Sequence, residues 1–264
     1  MNKIVLITGA SSGIGLTTAK YLHSIGYKVI GISRSYPKEE YTFDYHLCDI
    51  TDEKKVMEVA KNIENIYGHI DVLINCAGMG ISGAIENTPL KEVEQIYKVN
   101  VIGQFLVAKN MLSLLRMSNH GKMINMSSIA SEIALPYQAF YSMTKASIDA
   151  FTKALAIEVK PFKIQVCAIL PGDIKTDFTK NRMQPYQVSN DLYEERTKRS
   201  LKRMEKDELN GMEPIRIAKK VEKLIRKKRM PLSTTVGFSY KTIRVLNKLL
   251  PEELVQKIVR KLYG

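Results

Sequence analysis

Ile4-Val5-Leu6-Ile7-Thr8-Gly9-Ala10-Ser11-Ser12-Gly13-Ile14-Gly15 joins a short apolar run to a glycine-rich turn and the start of a helical period. An apolar run of this length, ended by glycine, reads as a buried strand, and the glycines let the backbone turn tightly into the next helix. Such a turn is where a pyrophosphate is held, by amide N–H groups and the positive end of the helix. The spacing is GxxxGxG, which marks one branch of the dinucleotide-binding folds. The stretch therefore predicts an α/β fold of the Rossmann type with a nucleotide site at its first turn.

Working outward, Lys28 to Ser33, Tyr45 to Cys48, Val72 to Asn75, Lys122 to Ser127 and Gln165 to Leu170 repeat the strand pattern. Helical periods lie between them, around 14 to 25, 53 to 67, 89 to 117 and 139 to 160, with Thr88 and Pro89 reading as N-cap and first helical residue of the third. The alternation predicts a doubly wound parallel sheet flanked by helices on both faces, with ligands beyond the carboxyl ends of the strands. One domain over 1–264 is expected, with 177–212 as a substrate lid carrying Phe178, Met183, Pro185, Tyr186, Leu192 and Tyr193. Residues 215 to 228 read as a helix, Ser233 to Gly237 as a last strand, and 240–264 as a helical extension ending in the amphipathic Pro251 to Leu262. That end helix is expected to pack on its own domain or on a second subunit.

The N-terminal apolar run is too short for a secretory signal, and no segment approaches the roughly 18 apolar residues of a membrane span, so a cytoplasmic protein is expected. Cys48, Cys76 and Cys167 lack a CxxC spacing and read as reduced thiols; His23, His46, His69 and His120 are scattered, and no metal site is expected. Of the net charge of +13, residues 175–264 carry +12, from 23 Lys and Arg against 11 Asp and Glu. Solvated helices account for such a bias; an acidic carrier protein, a phosphorylated substrate or an anionic membrane surface are the partners that could use it. No aromatic platform interleaves with these cations, so no specific nucleic-acid partner is expected.

The chemistry lies in Tyr141-Ser142-Met143-Thr144-Lys145, with Ser128 upstream. Side chains at i and i+4 share a helix face, so the Lys145 ammonium is expected near the Tyr141 phenol, favouring its ionised form. A tyrosine so placed exchanges a proton with a substrate oxygen. At the end of the second strand, Ser33-Arg34-Ser35 offers no carboxylate before Glu39, whereas an arginine there suits the extra phosphate of NADP; NADP(H) is expected over NAD(H).

In order along the chain stand the glycine run 8–15, Asp49-Ile50, Asn75-Cys76-Ala77-Gly78, Asn100, Ser128, Tyr141 with Lys145, and Pro171-Gly172 with Thr176. Over residues 3 to 176 the chain resembles the short-chain dehydrogenase/reductase family, and more loosely its hydroxysteroid and retinol-type members. The resemblance implies a catalytic tetrad of Asn100, Ser128, Tyr141 and Lys145. Ser128 and Tyr141 would hold a ketone oxygen, Tyr141 would donate the proton, Lys145 would bind the nicotinamide ribose, and Asn100 would hold a water. It implies a cofactor set of Gly9, Ser11, Ser12, Gly13, Ile14, Gly15, Ser33, Arg34, Asp49, Ile50, Asn75, Ala77, Gly78, Tyr141, Lys145, Pro171, Gly172, Ile174 and Thr176. Cys76 and Ser131 depart from the family pattern, at places expected to lie clear of the chemistry. Met79, Ile81, Ile133, Leu135, Tyr137 and Phe178 are expected to shape a pocket for a hydrophobic ketone, aldehyde or alcohol. A 3-oxoacyl carrier-protein reductase and a non-catalytic NADP sensor or scaffold are the alternatives, and a homo-oligomer, dimer or tetramer, is expected.

Overall fold

In the computed structural model, which describes residues 3–178, 182–183 and 192–264, seven strands form one parallel sheet in the order β3-β2-β1-β4-β5-β6-β7. The strands are β1 (Ile4–Thr8), β2 (Lys28–Ser33), β3 (Asp44–Leu47), β4 (Val72–Asn75), β5 (Lys122–Met126), β6 (Gln165–Leu170) and β7 (Ser233–Thr235). The chain reverses its direction of travel across the sheet between β1 and β4, and the switch opens a crevice above their carboxyl ends. In β1 side chains alternate between faces. Leu6 enters the core packed by α2 (Glu53–Tyr67), α4 (Gln104–Met117) and α5 (Ala139–Glu158); Val5 and Ile7 enter the core packed by α1 (Gly13–Ser24) and α7 (Ile215–Arg226). All three are fully buried, each contributing roughly 1.5–3 kcal/mol of transfer free energy.

Local chemistry sets the element ends. Asp52 caps α2 by accepting from the Lys55 N–H at 3.2 Å, and Gly68 ends it in the left-handed region at φ 72°. In β5 the buried Lys122 donates from Nζ to the carbonyls of Leu224 (3.2 Å), Ile225 (2.6 Å) and Lys227 (2.6 Å). A cation thus closes the carboxyl end of α7, where the helix dipole is negative.

The helix expected over 89–117 is interrupted. It consists of α3 (Leu90–Tyr97), a π-type segment over Lys98–Gly103, and α4. Thr88 does not cap it: its hydroxyl donates to the Ala84 carbonyl at 2.7 Å, and Pro89 occupies the N-cap position.

Of the expected lid, residues 179–181 and 184–191, Pro185 and Tyr186 among them, lie outside the described residues. The later part forms α6 (Glu194–Leu209). The extension is a pair of helices, α8 (Phe238–Leu249) and α9 (Glu252–Tyr263), broken at Leu250-Pro251, where proline removes a backbone donor. Three contacts fasten α8: Arg244 donates to both Glu132 carboxylate oxygens (2.8 and 2.5 Å), Asn247 to the Glu132 carbonyl (3.3 Å), and the Tyr240 hydroxyl to Asp173 (2.5 Å). The α9 helix lies on α6, with the Tyr263 hydroxyl donating to Asp207 at 3.1 Å. Among the described residues no helix is long and apolar enough to cross a membrane.

Candidate active site

A cavity of about 870 Å³ runs from the glycine turn, over the carboxyl ends of the strands, to α8 and α9. At one end Gly9 sits at φ 68°, and a Cβ there would press on the Ala77 backbone. Glycine is therefore required on both conformational and steric grounds. Ser12 precedes α1 without a side-chain cap, and the first turn holds no acidic residue, so the helix's positive end stays open toward the cavity. That is the condition for holding a pyrophosphate.

Ser33, Arg34, Ser35, Asp49 and Ile50 line the next stretch. Burial raises the Asp49 carboxyl, but hydrogen bonds from Thr51 N–H (2.9 Å) and its hydroxyl (2.8 Å), with the charges of Arg34 and Lys98, outweigh it and hold the group below its ordinary value. Tyr45, which the sequence reading passed over, orders this corner through its hydroxyl on Ser33 and on the Ser35 carbonyl. Gly31 leaves room for its ring.

The four tetrad residues converge around the start of α5. Ser128 caps a short helical turn, accepting from Ala130 N–H at 3.1 Å, and lines the cavity with Tyr141, near enough for its hydroxyl to favour the ionised phenol. Lys145 donates from Nζ to the Met126 carbonyl at 2.9 Å and lies 5.6 Å from the centre of the Tyr141 ring. Asn100, buried in the π-type segment, accepts from Met79 N–H (2.8 Å) and donates to the Met79 carbonyl (3.0 Å) and the Thr144 hydroxyl (3.1 Å). Thr144 in turn donates to the Tyr141 carbonyl at 2.8 Å. Asn100 thus acts from behind the cavity wall and ties the loop after β4 to the helix that carries tyrosine and lysine. Thr144 was missed as a linker because a threonine inside a helix carries no distinguishing sequence signal.

Protonation departs from the sequence expectation. Burial pushes the Tyr141 phenol up to about 12, only partly offset by the Ser128 hydroxyl, and burial lowers Lys145 to about 8. Lys145 does not pull the phenol into its ionised form here, because desolvation of a phenolate is the larger effect. A neutral phenol is able to donate a proton.

Every residue of the expected cofactor set lines the cavity except Asn75, which donates to Asn125 at 3.0 Å and braces β4 against β5. Cys76 was expected clear of the chemistry, yet it lines the same cavity and lies close enough for its thiol and the Lys145 ammonium to influence each other. Met79, Ile133, Leu135 and Phe178 form an apolar wall, Phe178 with its ring centre 5.7 Å from that of Tyr141. Ile81 and Tyr137 are not part of that wall: Ile81 is buried and bridges Met183, and Tyr137 sits at φ 60° with its carbonyl accepting from Gly83 N–H. The far wall comes from α8 and α9, which sequence reasoning had not assigned to the site.

Residues 3–187 match the sequence pattern of the short chain dehydrogenase family. A 3-ketodihydrosphingosine reductase of Bacteroides thetaiotaomicron is 38% identical over 264 residues, covering 99% of this chain and 98% of that protein. A short-chain dehydrogenase structure from Streptomyces avermitilis superposes with a TM-score of 0.78 at 26% identity, over 99% of both chains. ElxO, solved with NADP bound, superposes at 0.76 with 25% identity, over 92% of this chain and 100% of that one. With the fold, the glycine turn and the converging tyrosine, serine and lysine already in place, the chain belongs to the short-chain dehydrogenase/reductase family of oxidoreductases acting on CH–OH groups.

Proposed function

We propose that this enzyme reduces a hydrophobic ketone to its alcohol with NADPH. The observation that carries the reading is the half-buried phenol of Tyr141, with the Lys145 ammonium 5.6 Å from its ring centre, lining with Ser128 one cavity continuous with the glycine turn. NADPH, when bound, supplies the hydride that the carbonyl carbon accepts. Gly9 through Gly15 and the open end of α1 fit its pyrophosphate, and Arg34, flanked by Ser33 and Ser35, fits the phosphate that separates it from NADH. ElxO, a neighbour in structure, was solved with NADP, which supports that preference.

Ser128 and Tyr141 hold the substrate oxygen from the same side, so both hydroxyls meet the charge that grows there as the carbon is reduced. Tyr141 gives its proton to that oxygen, and the products are the alcohol, NADP⁺ and a tyrosine that recovers its proton from solvent. Lys145 and Asn100 hold Tyr141 and the loop over the cofactor in register. The Bacteroides relative bears the name of a ketone reductase, which supports this direction, and its named substrate is the first to assay. Exposed apolar residues on the outer faces of α4 and α5, Phe105, Met143 and Ile157 among them, support a homo-oligomer, and we place the enzyme in the cytoplasm.

The cation-rich last third favours a second reading, reduction of a 3-oxoacyl group on an acidic carrier protein. The test is NADPH oxidation over a panel of free lipophilic ketones, acyl-carrier thioesters and small ketones, with Tyr141→Phe as the blank. Turnover of free ketones that falls about 10²–10⁴-fold in Tyr141→Phe supports the first reading. Turnover confined to the carrier thioester favours the second. Turnover by Tyr141→Phe at the parental rate refutes the role given to the phenol.

A further inference from the structure

Past Tyr141 the cavity continues along the C-terminal helix pair, where Ile243, Leu246, Leu250, Val255, Ile258 and Leu262 line it. All six are aliphatic. Four keep substantial exposure, Ile243 at 37%, Leu246 at 45%, Ile258 at 46% and Leu262 at 50%. Apolar surface held open on the inside of a cleft, rather than scattered over the outside, is the lining of a ligand site.

The polar groups on this wall are occupied. Tyr240 donates to Asp173, Asn247 to the Glu132 carbonyl and Tyr263 to Asp207. Among the described residues, none of the lysines or arginines of α8 and α9 lines the cavity. The wall is therefore mainly carbon, with its named donors engaged and no lysine or arginine of the pair facing the ligand, and an alkyl chain matches it. Continuity with Tyr141 identifies what carries that chain: the molecule whose oxygen meets the phenol.

We infer that α8 and α9 form the binding site for the alkyl tail of the substrate, so that the natural ketone is a single-chain lipid. This rests on the ketone-reductase reading above. The carbonyl sits at Tyr141 and the tail runs along the helix pair, each buried methylene strengthening binding by about 0.8 kcal/mol, or about fourfold.

The experiment measures kcat/KM with NADPH for straight-chain methyl ketones from butanone to dodecanone. It compares the parent with Leu246→Asn and Ile258→Asn, both at positions exposed enough for the fold to accept an amide. The expected result is a rise of up to about fourfold per methylene in the parent and a flattened dependence in both variants, so that the variants' loss relative to the parent grows with chain length. Butanone reduced with no dependence on chain length, or equal slopes in parent and variants, overturns the tail site alone. If no member is reduced, the reductase reading falls with it. Sedimentation of the same variants supplies the remaining discriminator: a loss of oligomer mass with the slope unaltered makes this surface a contact between copies of the chain and overturns the inference.

Discussion

Replacing Gly172 with alanine tests how the helix pair is seated over the site. A Cβ at Gly172 would fall closer than 3.0 Å to three carbons of the Tyr240 ring, a separation that real Cβ atoms do not adopt. The backbone φ of Gly172 lies outside the left-handed region, so alanine brings no conformational penalty of its own. The ring has to move, and with it go its hydroxyl's bond to Asp173 (2.5 Å) and the bond that hydroxyl accepts from Asp173 N–H (2.9 Å). Overpacking of this kind costs about 1–3 kcal/mol. Loss of the hydrogen bonds adds about 1 kcal/mol, for a total of about 2–4 kcal/mol. In a Tyr240→Ala background the ring is gone, and the same Gly172→Ala change should cost less than about 1 kcal/mol, leaving a coupling of about 2 kcal/mol between the two positions. Urea unfolding of the four proteins of the cycle, analysed at a common m-value, reads this directly. Equal cost in both backgrounds would show that Tyr240 does not rest on Gly172, and the placement of α8 along the far wall of the cavity would have to be abandoned.

Because the phenol is raised to about 12, its protonated form is complete through neutral pH and is lost only as pH climbs toward that value. Ketone reduction should therefore show no loss of kcat from a tyrosine titration between about pH 6 and 9, whereas alcohol oxidation, which needs the phenolate, should rise by about tenfold per pH unit. Initial rates in both directions check this, and a reduction limb falling with a pKa near neutrality would contradict it. Asn100→Ala removes the partners of Met79 N–H and carbonyl and of Thr144; a loss of about 2–3 kcal/mol in stability, with kcat lowered more than KM is raised, is expected from urea unfolding and kinetics. Lys122→Met leaves three carbonyls at the end of α7 without their donor, and a cost of about 3 kcal/mol should appear in thermal unfolding while KM for ketone stays unchanged.

The sheet was legible because each strand is an apolar run bounded by turn residues, and six of the seven strands agreed with that reading to within a residue at each end. The glycine turn and the Tyr141–Lys145 pair were legible because their spacings encode geometry directly, four residues along a helix bringing both side chains to one face, whereas Asn100 and Ser128 were reached only through the family resemblance. What escaped the reading depended on tertiary context. The π-type segment places Asn100 against Met79 and Thr144, partners 21 and 44 residues away. The pKa of Tyr141 is set by burial, which no local pattern states. The α8 helix was read only as part of the 240–264 extension, and its place over the site rests on Glu132 and Asp173, partners 112 and 67 residues away in the chain.

One side of the cavity is built by helices that follow all seven strands in the chain, fastened through Glu132, Asp173 and Asp207 to elements made earlier. During synthesis the sheet can assemble while its greasy mouth still gapes, and only arrival of the tail end covers it. Ribosome-bound intermediates that lack the helix pair should accordingly bind more of an apolar dye than the finished enzyme does, and Arg199, which donates to the Gly264 carbonyl, helps to hold that pair in place.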